Sequence, residues 1–452
     1  MLYFLLGVWA IQGNPFGLSS AADKALSDEL ARIRAYVTPV APAPITIVAI
    51  DWESINGLHN HNEGWMLAND WPLSYPDHTR ILRDLLFTKH STPPSAIFYD
   101  IFFERPRLNG RDPEQAKLAD LGRTLGRWKN NPKLPPVFLA GGGVHMPMSA
   151  VARQALEPAN LVVTAWEGYG DFYPLHAMLR KSDGPTPSRP LPLAATALYL
   201  ELCKSRGENC EWARSTQAAP LAVQWEVLDK AGCSMTNPTN GWRRVVLGIG
   251  NIAGRMLGMA KDTDTATGDC LPFHQVRLSE LYTTPPADLR PPHLAPGEPY
   301  VVLAGLMMKS LKDYHQTPLY GQIEGVYLHA AALENLNRLG RGYIHDRDLR
   351  FLSIAVWGIL LLAFWPFLRR RRLPAATGTS QAMGTKASTR VRWVLRRLLW
   401  WSIFILGVIG LYIVFYEAID VAPEGWLSLI ALIPLLKQVV SSAEHNLEQG
   451  GE

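Results

Sequence analysis

From Ile45 onward the chain alternates two kinds of apolar pattern. The run "ITIVAI" at residues 45–50 is short, apolar and β-branched, as a buried strand requires. In "HTRILRDLLF", residues 78–87, Ile81, Leu82, Leu85 and Leu86 recur at the spacing of one helix face. "SAIFYDIFF", "PPVFLAGGGV", "NLVVTAWEG" and "YVVLAGL" read as further strands, with helices expected over residues 112–128, 192–204 and 326–337. Strands that alternate with helices predict an α/β domain, a mostly parallel sheet with helices on both faces. Residues 204–276 carry neither pattern and are expected as a long irregular insert.

The pattern changes after Arg350. "FLSIAVWGILLLAFWPFL" (residues 351–368) and "LLWWSIFILGVIGLYIVFY" (398–416) contain no charged side chain. At 1.5 Å per residue each reaches roughly 27 Å, close to the ~30 Å hydrocarbon thickness of a bilayer. Trp365, Trp400, Trp401 and Tyr416 near their ends suit a membrane interface. Residues 421–441, interrupted by Pro434 and Lys437, form a third expected span, so that a bundle of three transmembrane helices would close the chain.

Charge then gives an orientation. Residues 369–397 hold nine Lys/Arg and no Asp/Glu; without them the formal balance falls from +4 to −5, with 35 basic against 40 acidic side chains. The basic character belongs to one loop, and no nucleic-acid surface is implied. By the positive-inside rule that loop is cytoplasmic and residues 19–350 lie outside, in the periplasm of a bacterial inner-membrane, multi-pass protein. Residues 1–18, "MLYFLLGVWAIQGNPFGL", are expected as an N-terminal anchor, and residues 442–452 as a short cytoplasmic tail.

Four cysteines, Cys203, Cys210, Cys233 and Cys270, all fall in the outer segment, where an oxidising compartment permits disulfides. Of the three connectivities, Cys203 with Cys210 and Cys233 with Cys270 is favoured, since the first pair closes a short polar loop. Candidate ligand residues follow from the strand assignments. Asp51 follows the first strand, Asp100 lies within "FYDIFFE", and Asp313 comes shortly after "YVVLAGL" with His315 beside it. In a parallel sheet such residues gather along the carboxyl edge, where ligands bind; taken singly, an Asp after a strand most often caps a helix or hydrogen-bonds a loop. Asp313 and His315 are expected in a Pro-containing loop, and His329 on the apolar face of its helix, hydrogen-bonded in the interior.

Other chemistry is missing. Gly141 to Gly143 lack the Lys-Ser/Thr of a phosphate loop and read as a tight turn, "DTDTATGD" lacks the closing Glu of a calcium loop, and His59 and His61 read as part of a polar surface loop. No GxSxG or HExxH occurs. No cofactor, no metal and no catalytic residue are expected.

The order of "ITIVAIDWESI", "WPLSYPDHTRILRDLL", "AIFYDIFFERPR" and "KDYHQTPLYGQIEGVYLHAAALENL", followed by the apolar runs, resembles the type-two CHASE domain. That family is an extracytoplasmic sensor module of bacterial adenylate cyclases, histidine kinases and serine/threonine kinases. The resemblance implies an N-terminal anchor, a periplasmic sensing domain and three spans before a cytoplasmic effector. Here only "SSAEHNLEQGGE" follows Val440. The expected function is therefore a membrane-anchored, non-enzymatic sensor that signals through lipid-embedded helices, as a homo-oligomer or through a separate effector such as a cyclase or kinase. A membrane-tethered, metal-dependent periplasmic enzyme and a structural subunit of an envelope complex are the alternatives.

Overall fold

The computed structural model describes residues 39–60, 65–87, 92–106, 113–166, 172–179, 190–230, 233, 268–311 and 313–346, with a few further positions towards either end. The chain divides into two compact units, Asp28–Tyr343 and a second made of Met1–Ser27 with Ile344–Glu452.

The first unit is built on six parallel strands: β1 (Ile45–Ile50), β2 (Ala96–Asp100), β3 (Val137–Ala140), β4 (Asn160–Val162), β7 (His274–Arg277) and β8 (Val301–Leu306), in the spatial order β4-β3-β2-β8-β1-β7. Alternation along each strand sends side chains to opposite faces. Ile45, Ile47, Ala96, Phe98, Val301 and Leu303 enter one core, whereas Val48, Ile50, Ile97, Tyr99, Val302 and Ala304 enter the other. Both faces are apolar because both are covered, the condition an all-parallel sheet imposes.

One face carries α1 (Trp52–Asn60), α2 (Tyr75–Leu86), α3 (Pro113–Lys129) and α4 (Ala150–Leu156), which contribute Ile55, Leu58, Ile81, Leu82, Leu118, Leu121 and Leu156. The other carries α5 (Ala194–Arg206) and α6 (Gly325–Leu339), with Leu198, Leu202, Leu328, Leu333 and Leu336. Two short pairs, β5 (His176–Ala177) with β6 (Leu191–Pro192) and β9 (Tyr314–Thr317) with β10 (Gly321–Glu324), are antiparallel. The chemistry of helix starts is explicit at α2, where Ser74 and Asp77 form a reciprocal capping box. Asp77 is fully buried, and its carboxylate also accepts the backbone N–H groups of Leu67 and Ala68, so it ties the preceding loop to the helix.

The insert expected to be irregular supplies β7, which pairs with β1 at the edge of the sheet. The loop expected around Asp313 and His315 is instead the β9–β10 hairpin, with His315 opposite Ile323. His59, expected in a surface loop, lies in α1 with Nδ1 3.0 Å from the Met66 carbonyl. The glycine run is a turn: Gly142 takes a φ of 72° and its N–H donates to Thr164 Oγ1.

In the second unit β11 (His345–Asp346) pairs in parallel with β12 (Val421–Ala422), so the first two residues of the third expected span are strand. Apart from these and scattered positions, the anchor, the three expected spans, the basic loop and the tail lie outside the described residues. Among the described residues no helix is long and apolar enough to cross a membrane.

Candidate functional site

The carboxyl edge of the sheet contains a break in winding. The chain leaving β1 and β2 turns to the face of α1, α2 and α3, whereas the chain leaving β8, which lies between those two strands, ends in α6 on the opposite face. Divergence of neighbouring connections opens a crevice at the strand ends, the usual position for a ligand in an open α/β sheet. Asp100 and Asp313 stand at this point.

Asp100 is the last residue of β2 and lies in register with Gly305 of β8. It is partly buried, and burial, followed by the charge of Asp313, pushes its carboxyl up to about 8. Asp313 precedes β9, and its backbone carbonyl accepts the N–H of Gly325, the first residue of α6. Its carboxylate lies against that same residue: a Cβ built on Gly325 would stand 2.7 Å from Oδ1, so no larger residue fits there unless Asp313 moves. Asp313 is exposed as a residue, yet desolvation of its carboxyl raises its pKa as well. Neither side chain forms a hydrogen bond or an ion pair among the described residues. Two acids with raised affinity for a proton therefore stand at this edge, Asp313 against the first residue of α6 and Asp100 in reach of its charge.

The other two expected site residues are used differently. Asp51 starts α1, its Oδ1 accepting the Ser54 N–H at 2.7 Å, and its Oδ2 lies 3.8 Å from Arg277 Nε. Arg277 is itself engaged by Glu53 at 2.7 Å. Asp51 is thus a helix cap in a surface ion pair at the β1–β7 end of the edge. His315 is buried and stacks on Trp225, with ring centroids 5.9 Å apart and planes at 21°. It belongs to the packing of the hairpin against the core.

Sequence reasoning missed two neighbours of the acid pair. Tyr314 and Glu324 face each other across the β9–β10 ladder, and the Tyr314 hydroxyl is buried without a hydrogen bond among the described residues. Glu324 is the N-cap residue of α6. A hairpin assignment for residues 314–324 would have paired them; Gly321, with a φ of 67°, follows its turn.

His329, one turn into α6, is 2 % exposed and surrounded edge-on by Phe98, Trp166 and Tyr173. The Tyr173 oxygen accepts the Ala195 N–H at 3.0 Å, so its proton goes to His329 Nδ1 at 2.8 Å. Burial holds the imidazole down at about 3, and it stays neutral. Its role is to join α5 to α6 through Tyr173.

The cysteines pair as Cys203 with Cys210 and Cys233 with Cys270. Among the described residues the one group of three donors close enough to share a metal ion is Cys203, Glu208 and Cys210, and there the two thiols are already joined to each other. The four expected ligand residues do not form such a group.

The CHASE2 domain family matches residues 2–367, and the chain belongs to that family, a family of sensor domains. No curated protein and no solved structure matches the chain.

Proposed function

We propose that this protein is a membrane-anchored extracytoplasmic sensor that receives its signal at the Asp100–Asp313 edge and passes it through its C-terminal helices to a separate effector. The observation that carries the reading is the position of the acid pair. Asp313 sits against the first residue of α6, and α6 is the last α-helix of the domain before the chain leaves it at Tyr343. A ligand that binds one arrangement of this edge better than another would bias the position of α6 by that difference in affinity and by no more. The apolar runs and the nine-charge loop support an outer location for the domain. The tethered-enzyme alternative gains nothing from the described residues, because Asp51 caps a helix and His315 packs on Trp225.

Topology reporters test the reading. Fusions after Tyr343 and after Glu452 are expected to report opposite sides of the membrane, the first outside and the second cytoplasmic. Fusions that report the same side would remove the route from sensor to effector.

A further inference from the structure

Residues 210–230 form one strap that reaches the C-terminal half of α6 or Tyr343 beyond its end at Trp212, Ala219, Gln224 and Glu226. The Trp212 ring stacks on Tyr343, with centroids 5.6 Å apart and planes at 19°, and packs on Tyr199 of α5. The Tyr343 hydroxyl donates to the Ala219 carbonyl at 2.7 Å. Farther along, the amide of Asn335 embraces the backbone of Gln224: Oδ1 accepts its N–H at 2.7 Å and Nδ2 donates to its carbonyl at 3.0 Å. Arg338 bridges Glu226 of the strap and Glu334 of its own helix, both carboxylates buried. The Tyr320 hydroxyl donates to the Glu226 carbonyl.

The strap is fastened at both ends by a disulfide. Cys203–Cys210 ties its start to α5, and Cys233–Cys270 ties the chain just beyond its end to the approach to β7. Between these points the strap has no helix or sheet of its own beyond one turn of 3₁₀ helix at Glu211–Arg214 and isolated bridges of Leu221 to Tyr173 and Leu228 to Val40. Its order therefore depends on what it grips and on how it is tied. Covalent ties lower the entropy of the released state, so removing them favours release of a segment without helix or sheet of its own, against the burial of Ala213, Leu221, Trp225 and Val227.

We propose that this segment is a redox-dependent strap: with both disulfides formed it clamps the C-terminal half of α6 and the domain's exit at Tyr343, and with both reduced it lets go while the sheet stays folded. The inference rests on the sensor reading only for its consequence. Clamped, α6 and Tyr343 move together and a shift at the acid edge reaches the exit; unclamped, the shift is lost before it leaves the domain. Each disulfide takes up two electrons and two protons to give two thiols, supplied by a dithiol that is itself oxidised to a disulfide.

The test is backbone hydrogen exchange on the full chain with and without dithiothreitol, with alkylation confirming that all four thiols are freed. Exchange in residues 212–228 and 335–343 is expected to rise about ten-fold on reduction, with β1, β2 and β8 unchanged. The double variant Cys203→Ser, Cys210→Ser, which retains Cys233–Cys270, should open residues 212–221 and 340–343 while 224–227 stay protected. Trp212→Ala with both disulfides intact should raise exchange at 340–343 alone. Unchanged exchange after complete reduction overturns the proposal. So does a uniform rise across the sheet, which would make the disulfides general staples of the fold. The readout lies within the domain, so its failure is distinguishable from failure of the topology reporters, which would sink the sensor reading and leave the strap standing.

Discussion

At the scale of single residues, environment decides what a carboxylate does. Asp51 and Asp100 stand at strand ends and Asp313 before a hairpin, yet the first receives an N–H and a guanidinium while the other two are desolvated without either. Linkage gives Asp100 a measurable signature. Its folded pKa is raised from 3.8 to about 8, so between those values the folded state holds a proton that the unfolded state has released. Stability is then greatest at the acid end of that window and is lost as pH rises through the folded pKa, the reverse of a salt-bridged carboxylate. Thermal unfolding followed from pH 5 to pH 9 should show the transition of this domain falling with pH, and Asp100→Asn should flatten the profile and stabilise the domain at the alkaline end. An unchanged slope in the variant would place the titrating group elsewhere. Asp51→Ala should behave differently, costing about 1 kcal/mol through loss of the cap.

At the scale of elements, close approach sets the constraints. Gly122 in α3 faces α4, where an added Cβ would stand 1.8 Å from the Ala155 carbonyl oxygen. Helix propensity favours alanine over glycine by about 1 kcal/mol, but a clash with main chain must be relieved by moving a helix, at about 1–3 kcal/mol or more. The clash wins, and Gly122→Ala is expected to lower the unfolding midpoint in urea; a raised midpoint would show that the two helices are less tightly packed than described. In the core the direction is set by burial: Ile47→Ala on β1 removes a fully buried side chain between β1 and the α5–α6 layer, and a loss of about 2–5 kcal/mol is expected in the same measurement.

At the scale of the whole molecule, the two covered faces of the sheet divide the work. The α1–α4 face is held by apolar contact and helix caps, while the α5–α6 face adds both disulfides, the His329–Tyr173 link and the strap. On the sensor reading, α6 joins the acid edge to the exit at Tyr343 and carries a change from one to the other. For the sensor reading this predicts association with a second copy or a membrane partner, because the apolar runs carry almost no ionisable side chain with which to move an ion. Replacing Gly407 and Gly410 by Leu is expected to weaken crosslinking in native membranes without altering hydrogen exchange in the domain. Crosslinking that is unaffected would remove those glycines from any interface.

Much of this was legible in the chain itself. Five of the six sheet strands stand out as apolar runs because a parallel strand covered on both faces needs apolar residues at every position, and α2, α3, α5 and α6 follow from helical spacing. His329 could be placed in the interior for the same reason, and the order of the motifs pointed to the family. β7 could not be seen, because "HQVR" is a short edge strand with two exposed polar positions and owes its conformation to the ladder with β1. Nor could the sequence separate Asp51 from Asp100: both sit at strand ends, but α1 starts at once after Asp51 and offers it the Ser54 N–H, whereas α3 starts only at Pro113 and Asp100 lies beside β8, whose connection carries Asp313. The grip of residues 210–230 on α6 was hidden for a similar reason. Its partners are about 110 to 130 residues apart in the chain, and polar side chains that bond to distant main chain leave no periodic trace in sequence.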